Sequence, residues 1–440
     1  MRTKFVAALA AFAAGSAGCH GIAQPGVSNL PSSDTTLPIS GAAPTSEKIV
    51  YSFKGSPGGE LPEAALIRDS AGGFYGVATR GGTGNTCSGG CGTIFRLSQS
   101  ASGVWSERTL HSFNLSDGAY PGYPLVADGS GNLYGTTEVG PNLGVAYGLF
   151  HAKGRWKLQI LHKFHGGSDG AQPRSSMIFD THGNLFGTTV AGGTGGSGGN
   201  GSVFELTPQS GSWKETFVHR FINAKNGTSP QAGVIFGSDG SLYGTTSYGG
   251  NTVCPAGCGV AYKLAPIANG GWRPSVLHAF DAVDGYTSVA PVVFDKAGNL
   301  FGSEDEGGHS GCFGGCGTIF ELRRNGHGSL TFAVIHTFRV RDGGGPEGGM
   351  VVDSAGNLYG TTVVGGNIAA CPQQRGCGVV FKLAPAPPPK RWTYSVLYVF
   401  NNSPDGALPT GLVMGADGNL YGTTIGGGSL GLGAVFEVTP

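Results

Sequence analysis

Five histidines in this 440-residue chain share one local setting. His111, His162, His219, His278 and His336 each stand two residues before a phenylalanine, in runs such as LHSF, LHKF and LHAF. Tyr51 and Tyr398 take the same place in two further copies. Imidazole is the commonest metal ligand and titrates near neutral pH, so the first chemistry to weigh is metal binding. One His per copy of a repeat argues against it, because side chains spread over separate units cannot all come within the roughly 2 Å bonds of a single zinc ion. A structural hydrogen bond fits better, since Tyr also offers a polar tip on a flat apolar body.

Two sets of acids follow the same rhythm. Asp117, Asp169, Asn226, Asp284, Asp342 and Asp405 lie shortly after the His or Tyr, in a recurring Gly context. They are candidate ligand-binding residues that could ring the mouth of a central channel, or simple caps of Gly turns. The second set is the run GSEDEGG, in which Glu304, Asp305 and Glu306 stand where other copies carry Thr and apolar residues. Oxygen-rich clusters of this kind bind hard cations, and a break in a repeat rule often marks function; a solvated loop is the plainer alternative. Eight cysteines form the close pairs Cys87/Cys91, Cys254/Cys258, Cys312/Cys316 and Cys371/Cys377. Their spacing in short loops suits local disulfides, with zinc as the alternative.

The elements that must position these residues are strands. The phrase GNLYGTT and its variants recur around Tyr75, Tyr134, Phe186, Tyr243, Phe301, Tyr359 and Tyr421. Between the anchoring Phe residues of the LHxF-type runs the period is 51 to 62 residues, the range of propellers and solenoids. Each copy contains four strand-length runs, called here a (the apolar run, such as PVVFD), b (GNLYGTT), c (GTIFEL) and d (ending in LHxF). Asp and Gly-Asn between a and b supply hairpin turn chemistry. The expectation is an all-β chain, a seven-bladed β-propeller of four-stranded antiparallel blades. The chain ends on strand c, GAVFEVTP, and the body opens on KIVYSF, Lys48 to Phe53, a lone strand d. Joining them completes the last blade and hides two open sheet edges.

The phrase GNLYGTT, followed by GG and then G-[TSAV]-[VIA]-[FY]-[EK]-L, resembles the GloVer tandem repeat of bacterial exported "choice-of-anchor" proteins. The likeness runs from about residue 48 to residue 440. It implies an extracytoplasmic repeat protein with no established activity, and it carries over no catalytic residue. A weaker similarity, in D-x-x-G-N-L-[WY], extends to other propellers such as sensor ectodomains and streptogramin-lyase-like proteins.

Residues 1–18 read as a lipoprotein-type signal peptide, with Arg2 and Lys4 ahead of an apolar stretch. SAGC resembles the lipobox, which makes Cys19 the lipidated residue and accounts for the ninth, unpaired cysteine. Ser16 departs from the usual Leu, so cleavage after Ala17 is the alternative. Residues 19–47, rich in Pro, Ser, Thr and Gly, read as a flexible linker, and 48–440 as the propeller. With 27 basic against 27 acidic residues the chain lacks the electrostatic footprint of a nucleic-acid binder.

The functional expectation is an exported, lipid-anchored monomer that binds or scaffolds an extracytoplasmic glycan or protein. It has no catalytic residue and no cofactor motif, and touches the membrane only through its lipid. The alternatives are an extracytoplasmic lyase or hydrolase acting on a carbohydrate or lactone, and a purely structural envelope protein. Periplasm or cell surface is the expected location. Variable b–c loops mark the expected binding face.

Overall fold

A computed structural model describes residues 47–193, 199–268, 270–309, 311–312, 314–325, 330–387 and 391–440. The expected signal peptide, Cys19 and nearly all of the linker lie outside the described residues. Strand pairing gives seven four-stranded antiparallel sheets. Blade 1 runs a to d through Ile67–Arg68, Phe74–Ala78, Thr93–Gln99 and Trp105–Ser112. Blades 2 to 6 repeat this order, and no helix among the described residues is long and apolar enough to cross a membrane.

Blade 7 is completed from the other end of the chain. Its strands Gly406–Met414, Leu420–Gly427 and Ala434–Val438 are joined by Glu47–Ser52, which pairs antiparallel with Ala434–Val438. The closing strand starts one residue earlier than the spacing predicts.

Local chemistry explains each hairpin. Asp128 shows the a–b turn: its Oδ1 accepts the N–H groups of Ser130 and Asn132, while Oδ2 accepts from the Asn132 amide and the Tyr134 hydroxyl. Asp180, Asp295 and Asp353 use Oδ1 in the same way. The phrase DxxGNLY is therefore one hydrogen-bonded unit, with the aromatic hydroxyl tied back to the turn.

The threonines of GNLYGTT have two separate tasks. The second of each pair donates within its blade, as Thr137 does to the carbonyl of Val139 and Thr362 to that of Val364. In three blades the first reaches the next blade, Thr136 to the Ser175 carbonyl, Thr188 to Ala232 and Thr423 to Ala64. The Thr423 bond crosses the seam between blades 7 and 1.

Strand d carries a feature that periodicity did not reveal. In all seven blades the c–d register slips at one place, and the residue skipped is the one before His or Tyr: Leu110, Leu161, Val218, Leu277, Ile335, Leu397 and Val50. The first letter of LHxF is thus the extra residue of a β-bulge. A bulge re-aims the side chains beyond it and twists the exposed outer strand away from edge pairing.

Beyond the bulge, the Phe of each LHxF run enters the next blade and meets the aromatic residue of its strand c. The pairs are Phe53–Phe95, Phe113–Tyr147, Phe164–Phe204, Phe221–Tyr262, Phe280–Phe320, Phe338–Phe381 and Phe400–Phe436. Their ring centroids are 5.0–5.3 Å apart, and each pair joins neighbouring blades until the circle closes. The Gly of strand b makes room: a Cβ on Gly76 or Gly187 would lie 2.5 Å from the Phe95 or Phe204 ring.

Four disulfides, Cys87–Cys91, Cys254–Cys258, Cys312–Cys316 and Cys371–Cys377, staple b–c loops. Closing so short a ring contributes about 2 kcal/mol on the chain-entropy model.

Two substitutions test this packing by chemical denaturation. Phe53→Ala removes one partner of the closing pair and is expected to cost about 3–5 kcal/mol; a loss below about 1 kcal/mol would mean the seam is not packed. Tyr147 buries a hydroxyl with no partner among the described residues, where five other blades place Phe. Tyr147→Phe is expected to raise stability by about 1 kcal/mol, and a destabilised variant would contradict that reading.

Candidate functional site

The structure joins the two sets of residues singled out on strand d and in the d–a loops. His111 Nε2 meets Asp117 Oδ2 at 3.0 Å, His162 meets Asp169 at 3.1 Å and His278 meets Asp284 at 2.7 Å. His336 and Asp342 stand 3.7 Å apart, and the Tyr398 hydroxyl donates to Asp405 at 2.9 Å. The other carboxylate oxygen caps the turn, as Asp117 Oδ1 accepts from Asn114 N–H and Asp284 Oδ1 from Asp281 N–H. Blades 3 and 7 are the exceptions, with Asn226 in the acid's place beside His219 and no acid there in the KGSPGG loop after Tyr51. These side chains are engaged with the outermost strand of their own blades.

One further position touches each pair. The strand-d residue four before the His or Tyr leans onto the pair of the preceding blade. Phe332 stacks on His278 with centroids 3.5 Å apart, and Tyr394 on His336 at 3.8 Å. Glu107 accepts from the Tyr51 hydroxyl at 3.2 Å and from Gly59 N–H at 3.1 Å. Glu47 and Glu215 hold the same position over the pairs of blades 6 and 2.

The d–a and b–c loops share one face, because short antiparallel bridges tie them together, as at Ala119–Val139 and Thr228–Tyr248. Entering strand a, the residue before the Pro position adopts a left-handed backbone in every blade. Leu61, Tyr120, Gln172, Ser229, Thr287 and Leu408 have φ of 55–66°, and blade 6 places Gly345 there. This conformation costs roughly 1–2 kcal/mol for a side-chain-bearing residue. Backbone bonds to the neighbouring blade's b–c loop hold it, such as Tyr120 N–H to the Cys91 carbonyl and Leu408 N–H to that of Cys377. This turn presents the residue after the Pro position toward the axis: Glu63, Gly122, Arg174, Gln231, Val289, Glu347 and Thr410, none of them buried.

The three acids of GSEDEGG diverge. Glu304 ends strand b of blade 5, is fully buried, and takes a hydrogen bond from Ser288. Burial holds its carboxyl well above the ordinary range. It replaces the Thr of the repeat, and Ser288 replaces the Pro. Glu306 turns toward Thr287 and Tyr286. Asp305 joins the axial group beside the Gly345–Glu347 turn, and the charge of Glu306 also acts on Asp305 and Glu347.

That axial group is Glu63, Glu138, Asp305 and Glu347, with Arg174. Burial, aided by Glu138, pushes the Glu63 carboxyl up to about 7, while Thr79 and Arg80 oppose the shift. Burial and then the charge of Glu63 push Glu347 up to about 7. Protein surrounds Glu347 deeply, yet its side chain keeps an exposed surface, as expected in a wet channel. Asp305 is raised by burial and by Glu347. Arg174 is paired with Glu138. Carboxyl groups of blades 1, 2, 5 and 6 therefore act on one another across the axis. Glu63, Glu138 and Glu347 escaped the sequence reading, although one signal was present: the residue after Pro varies freely while its neighbours repeat.

The Gloeobacter/Verrucomicrobia repeat model matches residues 39–198, 85–316 and 310–440. The chain belongs to this repeat family. Comparison with curated proteins finds no match. Among solved structures, this member of the Gloeobacter/Verrucomicrobia repeat family is similar to a protein from Thermus thermophilus provisionally described as an oxidoreductase (glucose dehydrogenase). That pair shares 16% identity, with a TM-score of 0.41 over 90% of this chain and 99% of the other. A protein of unknown function from Dyadobacter fermentans matches at 13% identity and a TM-score of 0.43, over 80% of this chain and 98% of the other. Likeness at this level carries no argument about ligand or activity.

The axial acids predict a pH signature. Because Glu63 and Glu347 have folded pKa values raised from 4.5 to about 7, the folded state holds protons that the unfolded chain has released. Stability is then greatest below the ordinary carboxylate pKa and falls as pH rises toward 7. Glu63→Gln with Glu347→Gln is expected to raise the melting temperature at about pH 8 and leave it nearly unchanged at about pH 4. An equal change at both pH values would contradict the assignment.

Proposed function

We propose that this repeat protein is an exported, lipid-anchored binding module whose axial mouth, on the face of the b–c and d–a loops, takes a ligand bearing a protonated amine. The carrying observation is the set of Glu63, Asp305 and Glu347 facing one axis while the guanidinium of Arg174 is committed to Glu138. A cation brought among these carboxylates replaces their mutual repulsion with attraction, and a narrow acidic mouth concentrates cations by focusing its field. Amine-bearing glycans and lysine-rich proteins both present such a group. Four disulfides support a non-cytoplasmic setting, and Cys19 in its lipobox-like context supports the anchor.

A second reading draws on the same carboxyls. Acids with pKa near 7 suit general acid–base catalysis, so a lyase or hydrolase acting on a carbohydrate or lactone remains the alternative.

Titration of the full chain with chitosan oligomers and with the matched N-acetylated chitin oligomers separates these readings. The binding account expects saturable affinity for chitosan over chitin, weakened by Glu63→Gln with Glu347→Gln. Equal affinity for both oligomers, or affinity indifferent to the two substitutions, would refute it. Shortened oligomers after incubation would favour the enzyme.

A further inference from the structure

The pairs on the outer strands are structurally alike but differ in what covers them. In blades 4 and 5 an aromatic ring closes over the His, Phe332 on His278 and Tyr394 on His336. Between blades 2 and 3 the covering residue is Glu215, a carboxylate on the strand Ser212–Arg220. One ligand atom each from His162, Asp169 and Glu215 lie within 4.8 Å of one another. We infer that His162 Nε2, an Asp169 carboxylate oxygen and a Glu215 carboxylate oxygen form a site for a divalent transition-metal cation of the zinc type, bridging blades 2 and 3.

Several observations converge on this place. Glu215 Oε1 is buried without a hydrogen-bond partner among the described residues, and an orphaned carboxylate oxygen is costly to bury. The Glu215 and Asp169 carboxylates offer oxygens within 4.8 Å of each other, and a cation between them would satisfy both. His162 Nε2 already stands 3.1 Å from Asp169 Oδ1. Bonds of about 2.0–2.2 Å to one ion set its ligands roughly 3.3–3.6 Å apart, which a modest rotation of Glu215 would reach. His165, three residues beyond His162, places Nδ1 2.9 Å from Asp169 Oδ2 and is exposed, offering a fourth ligand on the solvent side. One imidazole with two carboxylates is a donor set that zinc accepts. The earlier objection, that the repeated His residues cannot converge, still holds; the other ligands come instead from a loop and from the neighbouring blade.

Calorimetric titration of the full chain with Zn²⁺ tests the site. One saturable site per chain is expected, with affinity reduced at least about tenfold by Glu215→Gln, as loss of a ligand requires. His278→Gln, in the pair covered by Phe332, and Glu63→Gln with Glu347→Gln, on the axis, are expected to leave that affinity unchanged. Should Glu215→Gln fail to fold, anomalous diffraction from wild-type crystals soaked in Zn²⁺ decides, with a peak expected between the three named side chains. No saturable binding, binding unaltered by Glu215→Gln, a loss produced by the axial pair instead, or a zinc peak elsewhere would overturn the inference.

Discussion

The edge-on to tilted ring contact between the Phe of one blade and the strand-c aromatic of the next sets the spacing on which the rest of the structure depends. Aromatic pairs contribute about 0.5–1.5 kcal/mol each beyond the apolar area they bury. Seven of them in a circle also impose geometry, since each blade is gripped on both sides by the same contact. The Gly of GNLYGTT follows from this: its missing Cβ is the space that the strand-c ring occupies. The bulge follows too, because an extra residue ahead of the His re-aims the chain that delivers the Phe. The Thr423–Ala64 bond and the pairing of Glu47–Ser52 with Ala434–Val438 draw on opposite ends of the propeller sequence, and the Phe53–Phe95 pair packs across the same seam. Closure is therefore part of the packing and not an addition to it.

A frame fixed so repetitively leaves a few positions free, and the chemistry collects there. Strand b is buried along its length in blade after blade, so it offers no functional surface. The residue after the Pro position and the residue four before the His or Tyr are open to change. The first varies from Glu to Gly, Arg, Gln, Val and Thr around the axis. The second varies among Glu, Leu, Phe, Tyr and Pro around the rim. Facing carboxylates at the axis are tolerable because water reaches them and because their raised pKa values let them carry protons. At the rim the same tolerance comes from pairing, as Glu107 meets the Tyr51 hydroxyl.

Turn chemistry and strand patterning are short-range, and they were legible in the sequence. Asp and Gly-Asn marked the a–b hairpins, four runs per period gave the blade, and the unmatched KIVYSF and GAVFEVTP gave the closure. The four cysteine pairs were legible because their partners lie a few residues apart. The bulge was not, because a residue that leaves the strand alternation by one place looks the same in sequence as one that keeps it. Nor was the pairing of His111 with Asp117 or of Tyr398 with Asp405, although both residue types had been noticed separately. The axial group was hidden for a longer-range reason. Glu63 and Glu347 belong to blades 1 and 6 and meet only because the ring closes. GSEDEGG stood out as a broken rule, yet its three acids separate: Glu304 is buried and bound to Ser288, Asp305 lies beside the Gly345–Glu347 turn, and Glu306 faces Thr287 and Tyr286 while its charge acts on Asp305 and Glu347.

The central claim is that the terminal strand is an integral part of a single closed ring. Native-state amide hydrogen exchange measures this directly, because it reports the free energy of opening at each strand. If the ring is one packed unit, the amides paired between Glu47–Ser52 and Ala434–Val438 will exchange only through the same global opening as strands b and c of blades 2 to 4. Exchange of the closing blade through a separate, lower-energy opening, with blades 2 to 4 still protected, would contradict the account.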